Sequence, residues 1–259
     1  MLYGAIIGDI VGSKYEFKNI KTKDFKFYDN DLYFTDDTVM TIAVYNALNK
    51  CKGNYSNLAN VVVEEMRLYG NMYPNRGYGG KFTLWLTSSN PKPYNSFGNG
   101  SAMRVSAVPY FAKNLEQVKK LSKIVTEVTH NHPEGIKGAE ATSIAIYMAL
   151  TKKSKEEIKR YIEENYYDLN FTLDQIRDTY KFSATCQNTV PQAIVAFLES
   201  TDFVDCIRNS ISIGGDSDTL AAIAGSIAEA YYGVDDKIKD TALNYLDENL
   251  ANIVLEANH

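Results

Sequence analysis

Cysteine and histidine are scarce in this chain of 259 residues, with three of each. Cys51, Cys186 and Cys206 are odd in number and widely spaced, which suits neither a disulfide framework nor a thiolate zinc site. Buried or inert thiols in a reducing cytoplasm are the expectation. An excess of positive charge is also missing. Against 32 Asp and Glu stand 27 Lys and Arg, a net charge of −5, so no basic face is expected for non-specific binding to nucleic acid or to an anionic membrane. No apolar run approaches the roughly 18 residues of a membrane span. The opening Met1 to Asp9 has no basic leader and carries an Asp within its apolar stretch, unlike a signal peptide. Linkers rich in Pro, Gly and Ser, and repeats of solenoid period, are absent as well, so one domain is expected over 1–259.

Alternation of apolar and polar residues is too sparse to build a sheet, whereas apolar residues at three- and four-residue steps run almost throughout. The spacing predicts helices over 4–12, 38–50, 56–70, 101–113, 115–129, 134–152, 154–165, 172–180, 187–199, 201–211, 219–232 and 235–249. The fold class is therefore all-α, a compact multi-helix bundle. One long irregular stretch, Gly70 to Gly100, is rich in Gly, Pro, Asn and aromatics. A loop of that length in a compact domain is functional or disordered, and Tyr73, Tyr78, Phe82, Trp85, Tyr94 and Phe97 argue for order.

Two acidic clusters stand near opposite ends of the chain, Phe34-Thr35-Asp36-Asp37-Thr38 and Gly214-Gly215-Asp216-Ser217-Asp218-Thr219. Each opens a helix-periodic run, with Gly233 as the expected stop of the second. An ordinary N-cap explains one oxygen at such a place. It does not explain several like charges, which repel one another unless a cation lies among them, while the helix dipole offsets only about 0.3–1 kcal/mol. Carboxylates and hydroxyls without neighbouring Cys or His are the ligand set of magnesium, manganese or calcium. If the clusters meet, they form a two-metal hydrolytic centre.

Smaller motifs are less specific. Gly4, Gly8 and Gly12 lack the spacing and preceding strand of a nucleotide loop, and close helix packing accounts for them better. Asp29-Asn30-Asp31 fails as a calcium loop, because Phe34 and Met40 stand where Gly and Glu are required. Asp216-Ser217-Asp218-Thr219 lies between helical patterns, not at the strand end that a phosphatase nucleophile needs. Gly98-Asn99-Gly100-Ser101-Ala102-Met103-Arg104 closes the long loop with Ser101 as a possible N-cap, a place where backbone donors hold phosphate. Thr129 to Gly135 contains His130 and His132 and reads on its own as a surface turn before a helix. Glu16 reads as a solvated carboxylate.

Taken together, Gly4 to Glu16, Phe34 to Thr38, Phe97 to Arg104, Thr129 to Gly138 and Gly214 to Gly225 resemble the ADP-ribosylglycohydrolase family. That family includes the glycohydrolase that reactivates dinitrogenase reductase and the vertebrate ADP-ribosyl hydrolases. The resemblance implies a bundle of helices around two divalent cations, magnesium or manganese, and hydrolysis of the glycosidic bond between ADP-ribose and an acceptor such as a protein side chain. It implies metal ligation by Thr35, Asp36 and Asp37 and by Asp216, Asp218 and Thr219, with Glu16 on the substrate and solvent side of the metals. Asp216 or Glu16 is then the expected catalytic carboxylate that orients the water or accepts its proton, as carboxylates do in glycoside hydrolysis. It places Ser96, Phe97, Gly98 and Asn99 around the diphosphate and distal ribose, and His130 on the phosphate side. Ser217 replaces a frequent Thr, and Gly70 to Gly98 is the most individual part. Two rival functions are a catalytically idle relative, as in a lens protein of the same fold, and a magnesium-dependent nucleotide phosphohydrolase.

Overall fold

The computed structural model describes residues 1–258. The chain forms α1 (Tyr3–Ser13), α2 (Asp36–Lys50), α3 (Leu58–Met72), α4 (Gly80–Thr87), α5 (Gly100–Met103), α6 (Leu115–Glu127), α7 (Pro133–Leu150), α8 (Lys155–Asn165), α9 (Leu173–Ile176), α10 (Val190–Leu198), α11 (Phe203–Ser212), α12 (Ser217–Tyr232), α13 (Asp236–Leu243) and α14 (Glu248–Glu256). Among the described residues, the only β pairing is an isolated antiparallel bridge between Gly98 and Thr185. The all-α expectation is met. Among the described residues, no helix is long and apolar enough to cross a membrane.

The centre of the bundle is α12. Every residue from Ser217 to Ala228 is buried, as expected for a helix that is apolar or small on all sides. Helices α1, α7, α10 and α11 pack around it. Gly233, at φ +78°, ends it where the sequence places the stop. The tightest crossing is with α1, and the glycines explain it. A Cβ placed on Gly4 would lie 2.1 Å from the Gly225 carbonyl oxygen, one on Gly8 2.1 Å from that of Ala221, and one on Gly12 2.4 Å from the Asp218 Cα. Backbone therefore lies on backbone along the whole of α1.

Several predicted boundaries move, each for a local reason. The helix expected over 101–113 is only α5 followed by a 3₁₀ turn at Val108–Phe111, because Pro109 lacks the N–H that a continuing helix needs. The 235–249 segment breaks at Asn244, and Asp247 then caps α14 by accepting from the Leu250 N–H at 3.0 Å. The 172–180 helix shrinks to the single turn Leu173–Ile176, held by a capping box of Thr172 and Gln175. The stretch Gly70 to Gly100 contains a helix that the sequence reading does not anticipate, α4. Its Phe82 and Trp85 are buried and stack at 5.5 Å between centroids. Those aromatics, with Tyr73, belong to the core. Cys51, Cys186 and Cys206 are free thiols, the last two buried.

Because Ala at position 8 forces α1 and α12 apart, Gly8→Ala is expected to lower stability by about 1–3 kcal/mol, the usual cost of overpacking. Urea unfolding measures it. An unchanged midpoint would mean that the crossing is not as close as described.

Candidate active site

The two acidic clusters meet. Helices α1 and α2 and the start of α12 bring Thr219 Oγ1 within 3.3 Å of Asp37 Oδ2, although the residues are 182 positions apart. Carboxylate oxygens of Glu16, Asp216 and Asp218 lie within 4.8 Å of one another. Asp36, Asp37 and Thr219 line the same cavity as these three.

Capping alone does not account for this arrangement. At α2 the cap is Thr35, whose hydroxyl accepts from the Asp37 N–H at 3.2 Å, so Asp36 and Asp37 are not needed for it. At α12 the N-cap residue is Asp216, yet its side chain makes no capping bond. Its Oδ2 instead accepts from Asn99 Nδ2 at 2.8 Å, which turns the carboxylate toward the cavity. Among the described residues, no Lys or Arg forms an ion pair with Glu16, Asp36, Asp37, Asp216 or Asp218. Asp37 Oδ1 is buried without any hydrogen-bond partner. Such an oxygen is costly to leave bare, and a carboxylate and hydroxyl donor set with an orphaned oxygen fits a hard divalent cation.

The electrostatics follow from burial and crowding. Burial, then the charges of Asp216 and Asp9, pushes the Glu16 carboxyl up to about 7. Burial, then Asp9 and Asp216, raises Asp36 to about 8. Asp37 and Asp218 are held well above the ordinary carboxylate range, first by burial and then by neighbouring carboxylates. Burial also raises Asp216, against the bonds it accepts. Glu16 is thus half-buried within the cluster, which corrects the expectation of a solvated carboxylate. Asn19 holds it there. Its Nδ2 donates to the carbonyls of Tyr15, Glu16 and Gly215 at 2.7–2.9 Å, and its Oδ1 accepts from the Gly215 N–H at 2.8 Å. Gly214 and Gly215 make that clamp possible by adopting φ +69° and +79°.

Asp9 was missed as a site residue. It is wholly buried in α1 and accepts from Thr35 N at 2.9 Å, Thr35 Oγ1 at 2.7 Å, Thr38 N at 3.0 Å and the Thr38 hydroxyl. One carboxylate from another helix thereby anchors the whole start of α2. The available signal was an Asp inside an apolar helical run, which is tolerated only when its oxygens are fully bonded.

The cavity has a volume of about 400 Å³, enough for a small ligand. Ser96, Gly98, Asn99, Gly100 and His130 line it along with the acidic residues. The segment 97–99 is stitched to 184–186 by Asn99 N to Ala184 O at 2.9 Å and Cys186 N to Phe97 O at 3.0 Å. Ser101 donates to the Gly135 carbonyl at 2.8 Å rather than capping α5. His130 is buried and faces this loop, whereas His132 is the N-cap of α7, its Nδ1 accepting from the Glu134 N–H at 3.1 Å. The surface-turn reading therefore holds for His132 and fails for His130. Phe97 is exposed, 43% accessible, with its ring 5.2 Å from that of His132, and unlike its neighbours Ser96 and Gly98 it is not among the residues that line the cavity. Phe17 and Phe182 stack at 6.3 Å, and Phe182 forms part of the cavity wall.

Carboxylates whose folded values lie above their unfolded values near 4 retain protons that the unfolded chain has lost. Their contribution to stability is present at low pH and disappears as pH rises through the folded values. With a chelator present, the melting temperature is therefore expected to fall as pH is raised from about 5 to about 8.5, the window ending just above the values near 7 and 8 for Glu16 and Asp36. Millimolar magnesium should flatten that decline, which differential scanning calorimetry would show. A chelated protein whose melting temperature rises over this range would contradict the crowding described.

A family model described as ADP-ribosylglycohydrolase matches residues 1–258. ADP-ribosylhydrolase ARH3 of Homo sapiens is 28% identical over 311 aligned residues, covering 90% of this chain and 85% of its own. ADP-ribosylarginine hydrolase Tri1 of Pseudomonas putida (strain GB-1) is 26% identical, covering 90% and 70%. ADP-ribosyl-[dinitrogen reductase] glycohydrolase of Rhodospirillum rubrum is 28% identical, covering 78% and 70%. A solved structure titled "ADP-ribosylglycohydrolase-related protein complex" superposes with a TM-score of 0.70 over 97% of this chain and 93% of that one, at 18% identity, and so shares its fold. With sequence matched from the first residue to residue 258, the chain belongs to the ADP-ribosylglycohydrolase family.

Proposed function

We propose that the chain is a single-domain, two-metal hydrolase that cleaves the glycosidic bond between ADP-ribose and an acceptor, releasing ADP-ribose. The observation that carries this reading is the pairing, in one cavity, of a carboxylate cluster with a loop of hydroxyl, backbone and imidazole donors. The first suits cations and sugar hydroxyls, the second an anionic diphosphate. The names of the similar proteins Tri1 and the dinitrogen reductase glycohydrolase supply the substrate class, ADP-ribosylated arginine and ADP-ribosylated protein.

In this reading Thr35, Asp36 and Asp37 hold one divalent cation and Asp216, Asp218 and Thr219 the other, with magnesium or manganese as the expected ions. Bound there, such ions supply Lewis-acid polarisation and acidify water. Asp9 keeps Thr35 and the start of α2 in register, and Asn99 orients Asp216. Ser96, Phe97, Gly98, Asn99 and His130 bind the ADP portion and so set the anomeric carbon at the acidic end. Glu16 lies within 4.8 Å of Asp216 and Asp218 and lines the cavity, so its carboxylate is placed to take a proton from a water at the acidic end. A water attacks the anomeric carbon and gives one proton to the Glu16 carboxylate, while the acceptor leaves with the bonding pair and takes up a proton from solvent. The C–N or C–O bond breaks as the new C–O bond forms.

Incubation with ADP-ribosylated protein and magnesium or manganese, followed by identification of the nucleotide, tests the reading. Released ADP-ribose is expected, with loss of turnover on chelation; AMP as product would assign a phosphohydrolase instead. In the same assay Glu16→Gln should lower turnover far more than ADP-ribose affinity, because it removes basicity but keeps size. Equal losses would place Glu16 in binding.

Phe97 offers a second handle. An exposed ring between the cavity-lining Ser96 and Gly98 can stack on adenine for roughly 1–3 kcal/mol, as bases stack on aromatic side chains. Phe97→Ala is expected to weaken ADP-ribose binding by about one to two orders of magnitude. With so much of the ring already accessible, the melting temperature should barely move. An early-melting variant that binds normally would assign Phe97 to packing.

A further inference from the structure

His130 is reached from behind by a chain of polar groups that starts at a fully buried guanidinium. Arg104, 1% exposed, donates from Nη2 to Thr129 Oγ1 at 2.7 Å and to the Val125 carbonyl at 3.3 Å, with a longer contact to that of Thr126 at 3.5 Å. Thr129 Oγ1 in turn lies 2.7 Å from His130 Nδ1. The other ring nitrogen, Nε2, points toward the loop that lines the cavity: a Cβ on Gly98 or Gly100 would lie 3.4 or 3.6 Å from it. We infer that Arg104 and Thr129 are positioning residues that hold His130 as a neutral imidazole with its proton on Nε2, so that the ring offers one fixed N–H to a phosphate oxygen. The inference rests on the glycohydrolase reading for the identity of that anion.

The proton assignment follows from satisfying a buried hydroxyl. Arg104 can only donate, so Thr129 Oγ1 accepts from it. Thr129 is wholly buried, and Nδ1 is the one remaining polar atom within hydrogen-bonding reach of its hydroxyl among the described residues. If Nδ1 carried a proton, the Thr129 hydroxyl would face two donors and its own proton would have no acceptor, a cost of about 1–3 kcal/mol. The hydroxyl therefore donates to Nδ1, and the ring proton resides on Nε2.

The charges around the ring agree. Among the described residues, Arg104 has no carboxylate partner within 4 Å, and its buried Nε has no hydrogen-bond partner. Burial lowers the guanidinium to about 10, so it stays charged at neutral pH. Burial first, and this positive charge second, hold His130 well below the usual imidazole range. Beside the ring stand Tyr94, with centroids 5.9 Å apart, and the glycine backbone of residues 98, 100 and 135. An anion is thus met by a neutral donor with a fixed cation behind it.

Nitrogen-15 NMR of the imidazoles in the ligand-free protein tests the tautomer directly. The chain has three histidines, and a His130→Gln variant assigns the relevant pair of signals. Wild type at pH 7 is expected to show a protonated Nε2 and an unprotonated Nδ1. Thr129→Val, which keeps shape but removes the hydroxyl, should mix the tautomers and weaken ADP-ribose binding about three- to tenfold by calorimetry. Thr129→Ser should restore both to within about twofold of wild type. A protonated Nδ1 in wild type, a Thr129→Val variant with an unchanged tautomer, or one with changed tautomer and unchanged affinity would each overturn the inference. Wild-type protein that shows the Nε2–H tautomer but binds no ADP-ribose would overturn the glycohydrolase reading and leave the relay standing.

Discussion

Like-charged carboxylates facing one another inside an apolar bundle are the constraint to which the rest of the structure responds. Asp37, Asp216 and Asp218 are buried, and Asp36 and Glu16 are half-buried beside them. Moving one ionised carboxylate from water to a protein interior costs several kcal/mol even after relaxation. A helix N-terminus returns about 0.3–1 kcal/mol of that, so the starts of α2 and α12 do not balance the cost by themselves. What remains is either proton uptake, toward which burial and crowding push Glu16 and Asp36, or a cation that replaces those protons. The proposed metal centre is the second of these states.

Rigidity of the cluster comes from the α1–α12 crossing. Three glycines at a four-residue spacing let α1 lie on the backbone of α12, and this places Asp9 opposite the start of α2 while Gly12 sits on Asp218. Larger side chains along α1 would separate the helices and, with them, the two halves of the acidic cluster. Close packing and site geometry therefore have one cause, which is why a stripe of small residues and a buried Asp share a single helix.

Much of this was legible in the sequence because it depends on local chemistry. Helix period gave the bundle, and clustered Asp beyond what a cap needs marked the two half-sites. Asp9 was not legible, since its meaning lies in four hydrogen bonds to residues of another helix, at Thr35 and Thr38. Asn19 hides for the same reason: its partner, Gly215, is far along the chain. Helix α4 was hidden by composition, because Gly79, Gly80 and the prolines after it suggest a loop, while burial of Phe82 and Trp85 decides the matter. The break at Asn244 carries no Gly or Pro, and only the capping role of Asp247 betrays it.

Under the proposed activity, the polarity of the cavity would orient an ADP-ribose conjugate within it. A diphosphate carries negative charge along its length, and Coulomb repulsion from a carboxylate at 4 Å amounts to about 4 kcal/mol at the effective dielectric of a protein surface. Without cations, the acidic end therefore repels it. At the other end stand a neutral His130, the hydroxyl of Ser96 and the backbone of Gly98 to Gly100, with the Arg104 charge buried behind them. Placing the diphosphate there leaves the ribose bearing the acceptor, which is uncharged at its hydroxyls, to reach the carboxylates. In the proposed reaction, the donor-rich end would take the diphosphate and the carboxylate end the reacting ribose, and the acceptor would meet the side of the cavity lined by Phe182 and by Gly77, Gly79, Gly80 and Lys81.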